Sequence, residues 1–173
     1  MPVLRVVDFF PLHQRFLQGQ TVLAPLLQRD WSSYVLDLRR CRISPYAFVT
    51  LAEKIVSGSV PCPMIILADH NRLDVLLTLD QAALKALLSH PTLQFVSITN
   101  NYILSGSRLA IARLTELYQK APASFGKLVL AEPPLKELEI LAALDPGQMI
   151  RWRNSHEAFY RDVLPTLDVQ PRL

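Results

Sequence analysis

Five short apolar runs, each leaving through polar residues, constrain the fold of this chain more than any other feature. They are LRVVDFF around Val6, YVLDLRR around Leu36, MIILADHN around Ile66, LQFVSITNN around Val96 and KLVLAEPP around Val129. The last four are spaced by roughly 30 residues, the length of a strand, a crossover helix and the return to a parallel strand. Their near-continuous apolar character suits strands covered on both faces, the environment of a parallel sheet. A sixth run, QMIRWRN near Ile150, alternates and could be an edge strand. QTVLAPLL (Gln20 to Leu27) is ambiguous; as a second N-terminal strand it would be confined to an edge by Pro25.

Helical patterns lie between these runs. Ser44 is an N-cap before a first-turn proline, Pro45, opening PYAFVTLAEKIVSG, and Gly58 closes it. Asp80 can cap QAALKALLSH, which Pro91 stops. Leu109, Ala112 and Leu117, with Ile111 and Leu114 beside them, give LAIARLTELYQK a wide apolar stripe. Pro134 opens LKELEILAAL, and Ser155 with Glu157 begins SHEAFYRDVL, stopped by Pro165. The alternation predicts a single α/β domain with a mainly parallel sheet, a mixed one being the alternative. Residues 1–33 hold the N-terminal strand or strands and a loop, 34–164 the alternating core, and 165–173 a tail that frays. VLDL followed by SPYAFVTLAEKI echoes VSI followed by SGSRLAIARLTEL, a likeness that any two strand–helix units share.

Composition narrows the function classes. With 173 residues, half of them hydrophobic, the chain can bury a sizeable core without disulfides or metal. No uninterrupted apolar run approaches the roughly 18 residues of a membrane span. A net charge of +3 is too mild to argue for nucleic acid. Arg5, Arg15, Arg29, Arg39, Arg40 and Arg42 bias the N-terminal part positive, which allows a basic face for an acidic partner. Cys41 and Cys62 form no CxxC pattern and read as free thiols of a reducing compartment. No Cys/His cluster offers metal spacing, no GxGxxG or Walker loop offers a phosphate cradle, and the N-terminus has no signal-peptide core. The expectations are a cytoplasmic protein, no cofactor and no metal.

Strand exits are where an open α/β sheet binds ligands. Asp8, Asp37, Arg39, Arg40, Asp69, His70, Asn71, Thr99, Asn100, Asn101 and Glu132 fall there. Asp69 beside His70 is the best acid/base pair, and with Asp37 it forms the site of a possible small enzyme or nucleotide-binding protein. Neighbours on an extended chain point apart, however, and Asp, Asn and His are also ordinary turn residues. Ser105, Gly106, Ser107 and Arg108 open the helix after the fourth run. A serine there either caps the helix or, once phosphorylated, switches a docking surface.

FVSI, the six residues TNNYIL, then SGSR and LAIARLTELYQKA resemble the STAS family of anti-sigma factor antagonists and sulfate-transporter domains. FGKLVLAEPP and LKELEILAALDPGQMIRWRNSHEAF continue the likeness, which runs from Leu93 to Leu164. The resemblance implies that Ser107 takes the place of the family's phosphorylatable serine. Ser105 stands where the family has Asp, Gly106 where it has Ser and Arg108 where it has Gly. It further implies a bacterial, non-enzymatic regulatory module that docks a protein partner, kinase-like or otherwise, through Ser105 to Arg108 and the nearby Asn100 and Asn101. A structural homo-oligomer is the remaining alternative, given the high apolar fraction.

Overall fold

The computed structural model describes residues 3–6, 8–19, 33–74, 76, 82–101, 108–129 and 158–168. Five strands form one sheet: β1 (Val3–Arg5), β2 (Val35–Asp37), β3 (Ile65–Leu67), β4 (Phe95–Ser97) and β5 (Leu128–Val129). They lie in sequence order and every neighbouring pair is parallel. All five central apolar runs therefore supply strands, and the described sheet is purely parallel. The candidate strands at 20–27 and 148–154 lie outside the described residues.

The register explains the regular spacing of the runs. Val35 stands opposite Ile65, and Ile65 opposite Phe95, so β2, β3 and β4 repeat at 30-residue steps. The backbone beyond the strands repeats as well. The amides of Leu38 and Ala68 donate to the carbonyls of Leu67 and Ser97, and those of Arg40 and His70 to the carbonyls of Asp69 and Thr99. The described part of this repeat comprises the strands and the turns that follow them.

A sheet that advances one strand at a time, with right-handed crossovers, carries all its crossover helices on one face. The side chains separate accordingly. Leu4, Leu36, Ile66, Val96 and Leu128 pack with the helices. These helices are α1 (Phe10–Leu17), α2 (Pro45–Val56), α3 (Ala82–Leu88), α4 (Arg108–Lys120) and the short α5 (Pro122–Phe125). Phe48, Leu51 and Ile55 of α2, Leu84 and Leu87 of α3 and Leu114 of α4 fill this layer. The alternate strand residues Val3, Val35, Ile65, Leu67 and Val129 form a second cluster with Phe159. Phe159 opens a wide π turn (Phe159–Val163) that continues into α6 (Leu164–Asp168), and its ring centroid lies 5.0 Å from that of Phe95.

Local signals set the element ends. Ser44 Oγ accepts the Ala47 amide at 3.1 Å with Pro45 following, and Gly58 takes φ 82° just past α2, where a side chain would be strained. Two expectations are corrected. Residues 1–33 are expected to hold only strand and loop, but after β1 ends at Arg5 the chain forms a helix. Asp8 Oδ1 accepts the Phe10 amide at 3.1 Å and turns the chain into α1, in a region read as strand and loop. Nor does Pro165 stop the last helix, which runs on to Asp168. The preceding turn is π, so the carbonyl four residues back, which a proline ring would strike in a regular α-turn, is displaced.

Phe159 is fully buried against the sheet. Phe159→Ala is expected to lower stability by about 3–5 kcal/mol in urea unfolding. A loss under about 1 kcal/mol would mean that this residue is not what covers the second face.

Candidate functional site

The strand exits of β2, β3 and β4 form one continuous edge, and two asparagines build it. Asn71 Oδ1 accepts the amides of Cys41 (2.9 Å) and Ile43 (3.1 Å), in the turn after β2. Its Nδ2 donates to the carbonyls of Leu38 and Ala68, both at 2.9 Å. Asn101 repeats the arrangement one step on. Its Oδ1 accepts the Asn71 amide at 2.9 Å, and its Nδ2 donates to the carbonyls of Ala68 and Thr99, both at 3.0 Å. Both side chains are buried. They supply partners for backbone groups that have left the strand ladder and would otherwise be buried unpaired. Cys41 holds the same place after β2, buried, with its thiol donating to the Val6 carbonyl at 2.6 Å.

These turns also share a backbone conformation. Arg40, His70 and Asn100 have φ of 57°, 56° and 56°, and Arg42 has 58°. The side chains of Arg40, Arg42, His70, Arg72 and Asn100 are exposed. The strand-end edge is therefore a buried amide ladder under an exposed rim.

The three groups of the enzyme reading are engaged separately. Asp37 is buried and held bidentately by Arg39, with Nε and Nη2 each 3.0 Å from a carboxylate oxygen. Asp69 Oδ1 accepts from Ser97 Oγ (2.6 Å), the Thr99 amide (2.8 Å) and Thr99 Oγ1 (2.9 Å), tying β3 to β4. The His70 ring lies on the rim, with Nε2 3.4 Å from Asn100 Nδ2. Asp69 and His70 thus face different surroundings, as alternation along an extended chain dictates. No group of three or more His, Cys, Asp or Glu among the described residues could hold a metal. Nor does this strand order reverse, so the described sheet lacks the switch point where open α/β sheets form a ligand crevice.

Of the serine stretch, Ser105, Gly106 and Ser107 lie outside the described residues, as does Glu132; Arg108 is the first residue of α4. Asn100 and Asn101 belong to the edge just described, Asn100 on the rim and Asn101 in the ladder. Reading the sequence as separate strand exits missed the joint role of Cys41, Asn71 and Asn101. Their 30-residue period was the available signal.

Both thiols are pushed up from 9.0 to about 11, chiefly by burial, with the Asp37 charge adding to the effect at Cys41 and Lys127 opposing it at Cys62. The folded protein thus holds these protons more tightly than the unfolded chain. The linked stability is complete below about pH 9 and is lost as pH rises toward about 11. Replacing both cysteines by alanine is expected to flatten the fall in urea midpoint over that range; an unchanged slope would contradict the assignment.

Asn71→Ala, which strands several buried backbone groups, is expected to cost about 3 kcal/mol or more. Asp69→Asn keeps an oxygen for the same three donors and is expected to cost under about 1 kcal/mol. Chemical denaturation reads both, and equal costs would refute the separate roles. No family model, curated protein or solved structure matches the chain.

Proposed function

We propose that the protein is a non-enzymatic interaction module that docks a protein partner on the rim at the strand ends. The observation that carries this reading is the 30-residue repeat of the turns at Arg40, His70 and Asn100, stacked over a rigid amide ladder. Repeat folds stack like units into an extended surface whose exposed positions are free to vary. The apolar residues fit that class. Leu36, Leu38, Cys41 and Ile43 follow the pattern apolar-x-apolar-x-x-Asn/Cys-x-apolar, as do Ile66, Ala68, Asn71 and Leu73. That is the pattern of leucine-rich repeats, in which a strand and a helix form each unit.

The STAS resemblance points to the same end of the molecule. Strands β4 and β5 are parallel neighbours, and α4 follows β4 from Arg108. A role in homo-oligomers has weaker support: the exposed large apolar side chains Phe10, Leu17, Tyr46, Val56 and Leu109 are spread over α1, α2 and α4. No helix among the described residues is long and apolar enough to cross a membrane.

A photoreactive amino acid placed at His70 or Asn100 is expected to give a discrete cross-link to a specific protein in cells of the native source. The same group at Glu53, exposed on α2, is expected to give none. Equal products at all three positions, or none at the rim, would refute docking there.

A further inference from the structure

We propose that the strand-end rim binds an acidic peptide segment of a partner protein, with Arg40, Arg42 and Arg72 as its cationic contacts. This rests on the docking reading above and names the partner's chemistry. The arginines form two short lines across the repeat. Arg40 and His70 occupy one place in successive turns, and Arg42 and Arg72 the place two residues on. The Arg40 amide donates to the Asp69 carbonyl and the Arg72 amide to the Ile43 carbonyl, both at 3.1 Å, so backbone bonds tie each line across adjacent turns. With neighbouring strands about 4.8 Å apart, the rim presents its cations at close, fixed intervals.

Arginine is an uneconomical choice for this backbone. The left-handed conformation at Arg40 and Arg42 suits glycine or asparagine, and Asn100 takes it in the next turn but one. The chain nonetheless places two arginines there. None of Arg40, Arg42 and Arg72 is paired with a carboxylate among the described residues. Asp37 is neutralised by Arg39, and Asp69 is buried beneath the rim against Ser97 and Thr99. Asp8 and Asp74 are the exposed carboxylates of the neighbouring turns among the described residues, two against the three arginines. The exposed rim therefore keeps a small excess of positive charge.

Its size selects the ligand. The three arginines lie in two adjacent turns about 4.8 Å apart. A DNA surface makes roughly six to ten phosphate contacts, and an anionic membrane patch uses about four to eight Lys or Arg. Three arginines instead match two or three carboxylates of an extended peptide, whose same-side residues lie about 6.6 Å apart.

The test is fluorescence anisotropy of the purified full chain with labelled octaglutamate, octaglutamine and a single-stranded oligonucleotide of octaglutamate's charge. The protein is expected to bind octaglutamate, more weakly as salt rises, and not octaglutamine. Arg40→Gly with Arg42→Gly removes two cations while easing the backbone, so it is expected to keep full thermal stability and lose about fivefold or more in affinity. Lys85→Ala with Lys120→Ala, on the helix side, is expected to change nothing. Equal loss in both double variants, or tighter arginine-dependent binding of the oligonucleotide, would overturn the proposal. If octaglutamate fails to bind while the His70 and Asn100 cross-links persist, the acidic ligand is wrong and docking stands; if both fail, both readings fall.

Discussion

The buried amide of Asn71 is the interaction on which the strand-end edge depends. It reaches into the turn before its own, holding the amides of Cys41 and Ile43, while its backbone amide is held by Asn101 from the turn after. A parallel sheet ends in backbone groups that have lost their ladder partners, and burying them unpaired costs about 1–3 kcal/mol each. One side chain per repeat meets that demand here. The same bonds fix three successive turns in a left-handed conformation that would otherwise be costly for arginine and histidine.

A second constraint follows from strand order. Because the described sheet never reverses its strand order, its described crossover helices share one face, and the segment that carries Phe159 and α6 packs on the other. Polar residues collect at the strand exits, but Asp37 is committed to Arg39 in its own turn and Asp69 to Ser97 and Thr99 in the next repeat. What remains exposed is a row of turn side chains on a stiff support. A preorganised surface of this kind would lower the cost of binding the proposed partner.

Much of this was legible in the sequence. Continuous apolar runs such as VLDL and FVSI located every described strand, because burial on both faces leaves little room for polar residues. Ser44 and Pro45 marked the start of α2 because a cap and a missing N–H act locally. Helix α1 was hidden because LRVVDFF is mostly apolar and reads as a strand, and the turn that Asp8 makes with the Phe10 amide is an ordinary strand-exit signal. The continuation through Pro165 depends on a π turn that no residue announces. The shared role of Cys41, Asn71 and Asn101 stayed hidden for another reason. Each is an ordinary turn residue alone, and only their stacking across a 30-residue period makes them one feature.

Hydrogen exchange by NMR at the amides of Cys41, Ile43 and Asn71 tests the account most directly. All three lie outside the strands, in a stretch that a loop reading would leave open to solvent. The amide ladder predicts that they exchange as slowly as the amides of β3, through the same global opening. Exchange at the rate of an exposed turn would mean that the edge is not rigid, and would contradict the account at its foundation.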